Sequence, residues 1–164
     1  EDLINSLQLS YNWDALDVDD EIPDNLIREI LLNANHAPTH RMTQPWFFKV
    51  YKNESKQKLI DIVSKIDESK ISKIKLDKFI QKINDSNTVI SIFLNRDEKE
   101  RLPEWEEIAA VSMAVQNMWL TCYVNNIGSY WSTPGFINEY ALKGGDIIIF
   151  NRINLDQYND QKLF

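Results

Sequence analysis

The chain has 164 residues and a mass of 19.3 kDa, with 43% apolar, 11% aromatic and 26% charged residues, which is typical of one globular domain, predicted over residues 1–164. Its 18 basic and 25 acidic side chains give a net charge of −7. A nucleic-acid-binding protein normally has a basic surface, so no nucleic-acid partner is expected. The longest apolar runs fall far short of the roughly 20 residues that a membrane-crossing helix needs, so no membrane partner is expected. One cysteine and no secretory signal predict a reduced, cytoplasmic protein.

The first half of the chain alternates helical and strand patterns. Pro23 and Asp24 predict a helix start, because proline fixes φ and an early carboxylate matches the helix dipole. Pro45 introduces a β-rich run. The predicted elements are one or two helical turns within 1–12, a helix over 24–34, a strand over 46–51, and amphipathic helices over 55–66 and 69–83.

The second half contains the most apolar elements. Residues 88–94 are almost continuously apolar, which predicts a central strand covered on both faces. A long helix over 104–124 is apolar around more than half of its circumference, so we expect part of it to face another subunit. The segment Asn126-Ile127-Gly128 is interpreted as its left-handed stop. The remaining elements are a short strand or extended loop over 130–133, a short helix over 136–142 and a strand over 147–153.

This order predicts an α+β protein with helices flanking a small sheet, mixed but mainly antiparallel. The loop between the first long helix and the first strand is the most informative segment for function. Its hydrogen-bonding side chains precede the aromatic plane of Trp46, a combination that suits a polar, planar, phosphorylated ligand. The alternative is a well-satisfied helix-to-strand turn with Trp46 in the core. No carboxylate or thiolate lies close enough in sequence to complete a metal site with His36 and His40, so no metal is expected.

Other polar residues have open interpretations. The segment from Gly128 to Gly135 carries two serine hydroxyl groups and a tryptophan, and is either a second ligand contact or a tight strand turn. Gln116 and Asn117 lie within the longest helix and predict a ligand wall or a subunit seam, because buried amides need partners. Cys122 is interpreted as an inert buried thiol.

Two of these segments resemble a known family. Ala37-Pro38-Thr39-His40, followed by Thr43-Gln44-Pro45-Trp46, resembles the signature of the FMN-dependent nitroreductases, particularly their small single-domain branch. Further similar pieces occur in the same order within residues 10–140: Ile22-Pro23-Asp24, Ile30–Ala34, Pro103–Glu106, Ala114–Met118 and Gly128–Ser132.

The resemblance implies an intertwined homodimer with two flavins at its interface, each bound by both chains. Hydride would pass from NAD(P)H to FMN and on to a nitro compound, a quinone or a similar small-molecule acceptor. The flavin carries this chemistry, so no catalytic side chain is implied. The implied cofactor contacts are Gln8, Leu9 and Ser10 at the phosphate, His36 and His40 near the ribityl-phosphate side, and Trp131, Ser132 and Thr133 along the isoalloxazine.

One departure from the family pattern affects the expected function. The family has Arg-Arg-Ser where this chain has Gln8-Leu9-Ser10, so both cations are missing from the implied phosphate site. Arg41, Arg152 and Lys162 are the candidate replacements. The alternative function is a non-catalytic protein of the same fold, with lost or weakened flavin binding, acting as a binding or interaction module.

Overall fold

The computed structural model describes residues 21–66, 71–125, 127–132 and 146–152. The helical turns predicted within 1–12 and the helix predicted over 136–142 lie outside these residues. The described elements are α1 (Asp24–Ala34), a 3-10 turn (His40–Met42), β1 (Trp46–Lys52), α2 (Ser55–Val63), α3 (Lys73–Asn84), β2 (Thr88–Leu94), α4 (Glu104–Val124), β3 (Ile127–Ser132) and β4 (Asp146–Arg152). None of the helices in this part of the chain is long and apolar enough to cross a membrane.

The described strands form a four-stranded sheet in the order β1-β2-β4-β3. All three pairings between neighbours are antiparallel, so the expectation of a mixed sheet is wrong for these strands. The reason is topological: β4 lies between β2 and β3, which run in the same direction without pairing. The central position predicted for β2 is confirmed, and its first five residues are buried.

The front face of the sheet is defined here as the face covered by α1 and α4. Alternate residues of β2, Ile90 and Ile92, project onto this face, as the two-residue period of a strand requires. Ile30 of α1 and Met118 of α4 are completely buried against them. Helical spacing places the buried residues of α4 on one side of that helix, so the front core is continuous from α1 to α4.

The back face is the opposite face, covered by α2 and α3. Tyr51 of β1 and Val89 of β2 project onto it and contact Leu59 of α2 and Ile83 of α3. The structure shortens the predicted helices, because the first ends at Val63 and the second begins at Lys73. The sheet is therefore the middle layer of a three-layer α/β/α arrangement.

Proline defines the start of both front-face helices. Pro23 and Pro103 occupy the N-cap positions with φ of −63° and −60°, values that the pyrrolidine ring imposes. Lys52, at the end of β1, donates hydrogen bonds to the Ile22 carbonyl at 2.7 Å and to Asp24 at 2.9 Å. The start of α1 is thereby attached to the sheet.

The end of α4 differs from the prediction. Ile127 and Gly128 belong to β3, so the predicted helix stop is wrong at these two residues, and its third member, Asn126, lies outside the described residues. The helix ends at Val124, where the Asn125 side chain donates to the Thr121 carbonyl at 2.9 Å and its backbone N–H to that of Cys122 at 3.1 Å. The Asn125 side chain thus satisfies one carbonyl of the last helical turn.

Candidate functional site

The His40 loop, defined as residues 35–45, joins α1 to β1 and has an unusual backbone. Arg41, Met42 and Gln44 have positive φ values of 55°, 55° and 43°. Such conformations are costly for residues with a Cβ and persist where surrounding contacts determine them. The Thr39 hydroxyl supplies one such contact, accepting the Gln44 N–H at 3.1 Å. Strain of this kind is concentrated at functional sites.

Both ends of the loop are attached to neighbouring structure. The indole N–H of Trp46 donates to the Asn35 side chain at 3.0 Å, which closes the loop across its base. The Asn95 N–H donates to the Pro45 carbonyl at 2.7 Å. Trp46 itself is half-buried against the front core rather than completely covered.

The imidazole of His40 is bonded to α4. Its Nδ1 lies 2.8 Å from Glu106 Oε2, and the two side chains are 60% and 26% exposed. His36 is also exposed and lies just beyond the end of α1, where its backbone N–H donates to the Asn33 carbonyl. The two implied histidine contacts therefore lie on one surface loop, with the exposed side chain of Arg41 beside His40.

The first turn of α4 anchors a second loop. Glu107 is fully buried, and its carboxylate accepts hydrogen bonds from Arg96 Nε and from the Asp97 N–H, both at 2.9 Å. This hydrogen bond to Glu107 raises the pKa of Arg96. Neighbouring acids of one helical turn thus fix two separate loops, since Glu106 contacts the His40 loop.

The amides within α4 have different environments. Asn117 is half-buried and donates to the Asn33 carbonyl at 3.2 Å, so it joins α4 to α1. Gln116 is exposed, and its interpretation as a buried amide is wrong, because its position points away from the side that packs on the sheet. Cys122 is buried, as expected, and burial raises the pKa of its thiol.

The side of α4 opposite the core carries several exposed apolar side chains, with the exposed Gln116 among them. We call this surface the α4 stripe, defined by Trp105, Ile108, Met113 and Val124. Trp105 is 67% exposed and Ile108 is 49% exposed. Exposed apolar side chains on the outer side of a helix make this surface a candidate interaction site. The predicted excess of apolar circumference is therefore present in the structure.

Trp131 and the His40 loop lie at opposite edges of the described sheet. Trp131 is half-buried near the end of β3. The strand pairings align it with Val50 of β1, through Ile148 of β4 and Ile90 of β2. Three strand spacings separate the two positions, or roughly 14 Å. The His40 loop precedes Trp46, a further four residues along β1. One chain therefore does not bring His40 and Trp131 together.

The remaining implied contacts are only partly described. Ser132 ends β3, next to Trp131. Gln8, Leu9, Ser10 and Thr133 lie outside the described residues, as does the candidate replacement cation Lys162. Among the described residues, no three or more His, Cys, Asp or Glu side chains are grouped to hold a metal ion.

Sequence reasoning missed Glu106 and Asn35, which fix the His40 loop from α4 and from the end of α1. Glu106 belongs to an acidic first helical turn, a pattern that predicts only a favourable interaction with the helix dipole. Asn35 directly precedes His36, one of the two histidines implied as cofactor contacts. No local signal in either case indicates a partner in another element.

Comparison with known proteins identifies the family. The family model for the nitroreductase family matches residues 16–143. The chain belongs to the nitroreductase family. The match begins after Gln8–Ser10, the segment assigned to the phosphate site.

Individual relatives of this nitroreductase-family chain are distant. YfhC of Bacillus subtilis, which bears the provisional name NAD(P)H nitroreductase, is 29% identical over 116 residues, covering 68% of this chain and 59% of that protein. The chain thus spans less than two-thirds of the curated relatives that it matches.

Solved structures support the same fold. A nitroreductase-like family protein from Bacillus cereus superimposes with a TM-score of 0.74 at 22% identity, covering 93% of this chain and 86% of that one. The FMN-dependent nitroreductase NfnB from Mycobacterium smegmatis, solved with NADPH, gives a TM-score of 0.66 at 12% identity, covering 99% and 98%. At these identities the likeness shows the nitroreductase fold and nothing finer.

Proposed function

We propose that the protein is an FMN-dependent oxidoreductase that transfers hydride from NAD(P)H to a nitro compound, a quinone or a similar acceptor. The family membership and the FMN-dependent relative support this reaction class. The observation that carries the proposal is the His40 loop: a strained, anchored surface loop that presents an exposed imidazole beside an uncovered apolar helix side. The location, expected to be cytoplasmic, stays a prediction.

The described residues fit FMN in their donor chemistry. The phosphate and ribityl groups require hydrogen-bond donors, and the His40 loop offers two exposed imidazoles and the guanidinium of Arg41. Trp131 offers an aromatic surface to a planar ring. When bound, FMN supplies the hydride chemistry, while the protein orients it and excludes water.

We further propose that each cofactor site is shared by two copies of the chain. In one chain His40 and Trp131 lie at opposite sheet edges, an arrangement that supports a site assembled from two subunits. The α4 stripe is the surface proposed for this contact, with a buried area above roughly 2,000 Å², as in obligate dimers. The second copy would also cover the exposed Trp105 and Ile108.

Flavin binding tests the proposed reaction directly. The purified protein should show the visible absorption spectrum of a flavin, or acquire it from added FMN, and should then oxidise NADH or NADPH when a nitroaromatic or quinone is present. A colourless protein that ignores FMN would instead support the alternative, a nitroreductase-fold binding module. The missing cations at Gln8 and Leu9 make this comparison necessary.

A variant with both cations restored sharpens that result. Gln8→Arg combined with Leu9→Arg should raise FMN affinity by at least about tenfold, because each charge-assisted bond to phosphate contributes on the order of 1.5–3 kcal/mol. Titration of flavin-stripped wild type and double variant measures the difference. Equal affinities would show that another cation already binds the phosphate.

The shared site and the dimer have separate tests. Co-expression of His40→Ala and Trp131→Ala chains should restore about one quarter of the sites, since half of randomly formed dimers are mixed and each regains one intact site.

Ile108→Glu should convert the dimer into a monomer of 19.3 kDa in sedimentation experiments. Ile74→Glu is the matched control, because Ile74 is 69% exposed on α3, at the back face. Co-expression without recovery would contradict the shared site, and a monomeric wild type would contradict the dimer.

A further inference from the structure

One side-chain hydrogen bond joins the His40 loop to α4 among the described residues, and it is the bond between His40 and Glu106. It connects positions 66 apart in sequence at a distance of 2.8 Å. The loop's other side-chain bonds stay within the loop or connect its two ends, such as that from Trp46 to Asn35. The orientation of the His40 ring therefore depends on Glu106.

The chemistry of this bond fixes which ring nitrogen is free. An ionised carboxylate can only accept hydrogen bonds, so the hydrogen of the pair lies on His40 Nδ1. Nε2 is then the ring nitrogen available to a ligand, and the side chain is exposed enough for a ligand to reach it. A carboxylate that orients an imidazole in this manner is a common arrangement behind histidines that bind ligands.

The neighbouring acids of α4 have other environments. Glu107 is buried and bonded to Arg96 and Asp97. Glu104 lies exposed in the same first turn. The orienting contact to His40 thus belongs to Glu106 alone among these three side chains.

We propose that Glu106 is a positioning residue, which fixes the His40 imidazole so that Nε2 meets the ribityl-phosphate side of FMN. This inference rests on the proposed function, in which His40 contacts the cofactor. Glu106 acts through His40 and does not touch the flavin. In the neutral ring Nε2 only accepts a hydrogen bond, so it bonds to a phosphate oxygen when the ring carries a second hydrogen on Nε2, and the Glu106 carboxylate then balances the charge of the ring.

Titrations of flavin-stripped protein with FMN and with riboflavin test the proposal. Glu106→Gln should weaken FMN binding on the order of tenfold, because the neutral amide can either accept from or donate to Nδ1 and so neither fixes the tautomer of the ring nor balances its charge. The control Glu104→Gln removes the same charge from the same helical turn without touching His40, and should leave the affinity unchanged. Riboflavin lacks the phosphate, so its affinity should change by much less than that of FMN. Equal losses for the two flavins would overturn the assignment to the phosphate side.

A double-mutant cycle separates positioning from a general structural role. In a His40→Ala background, Glu106→Gln should cause no further loss of FMN affinity, because its effect passes through the missing ring. A structural role would give additive losses and overturn the proposal. Long-range proton–nitrogen spectra of the imidazole should show hydrogen on Nδ1 in the wild type and a changed tautomer balance in Glu106→Gln.

The two possible failures are distinguishable. A wild type that takes up no FMN would overturn the proposed function and, with it, this inference. A wild type that binds FMN, with Glu106→Gln indistinguishable from it, would overturn the inference and leave the proposed function intact.

Discussion

The front and back faces of the sheet are both covered by two helices, but those helices are bonded differently. On the front, Asn33 of α1 donates to the Thr121 hydroxyl of α4 at 2.9 Å, across 88 positions of sequence. On the back, side-chain bonds such as that from Gln81 to Asp85 span one helical turn. Lys56 of α2 is an exception, because it donates to the carbonyl of Asn84, the last residue of α3, at 2.9 Å and to the Ser86 carbonyl at 2.6 Å, and burial lowers its pKa.

This difference indicates which layer has its geometry fixed by directional hydrogen bonds. Apart from the bonds of Lys56, apolar packing holds the back helices on the sheet, and their outer surfaces carry exposed lysines, which are typical of a solvated face. The front helices add directional bonds that determine their relative position and that of the His40 loop. A binding site needs such fixed geometry, whereas a covering layer needs only apolar area.

The largest expected effects come from truncations in the two cores. Met118→Ala on the front and Leu59→Ala on the back should each lower the free energy of unfolding by about 2–5 kcal/mol, because both side chains are completely buried. Only Met118→Ala should also weaken FMN binding, measured where both variants are folded. Equal weakening by Leu59→Ala would remove the functional distinction between the faces.

A smaller effect is expected from the buried acid of α4. Glu107→Gln should cost about 2–3 kcal/mol in chemical denaturation, below the value for a fully buried pair because the Arg96 side chain is 32% exposed. Asp61→Asn is the control on the back face, where the exposed Asp61 accepts a bond from Gln57 one turn away. It should change stability by less than about 0.5 kcal/mol. Similar costs for the two variants would contradict the front-face network.

The smallest expected effect is a dependence of stability on acid pH. The hydrogen bond from Arg101 lowers the pKa of Asp97 from 3.8 to about 2. The Asp97 carboxylate binds a proton less readily in the folded than in the unfolded chain. Its contribution to the free energy of unfolding is therefore complete above pH 3.8 and is lost as the pH falls towards 2. Asp97→Asn should remove this part of the pH profile, as measured by thermal unfolding between pH 5 and 2. A profile unchanged by the substitution would show that other carboxylates cause the acid sensitivity.

Periodicity predicted the elements that bury regular apolar patterns. The seven residues of β2 and the 21 residues of α4 have the bounds expected from sequence, because apolar spacing directly reflects which side is buried. A glycine after a helix is typical of a cap, yet Gly128 pairs with Asn151 in the sheet, a contact that local sequence does not record. The order of strands depends on tertiary pairing, which local patterns do not record.

The sequence predicted which segment contains the candidate site, but not which residues of other elements contact it. Two prolines and a cluster of donors marked the His40 loop, and the resemblance to the family gave it a role. The bond from His40 to Glu106 joins positions that only the folded chain brings together. The separation of His40 from Trp131 likewise follows from the register across the sheet, which no motif encodes.

The strand order also has a consequence for synthesis of the protein. β4 pairs with both β2 and β3, so the sheet is incomplete until residues 146–152 have left the ribosome. Roughly 50 residues separate β2 from β4, a delay on the order of 3–10 s during translation. During that interval one edge of a strongly apolar strand has no partner, which makes the nascent chain prone to aggregation. A ribosome that stalls before Asp146 would thus release a chain whose faces are covered by helices while this edge stays open.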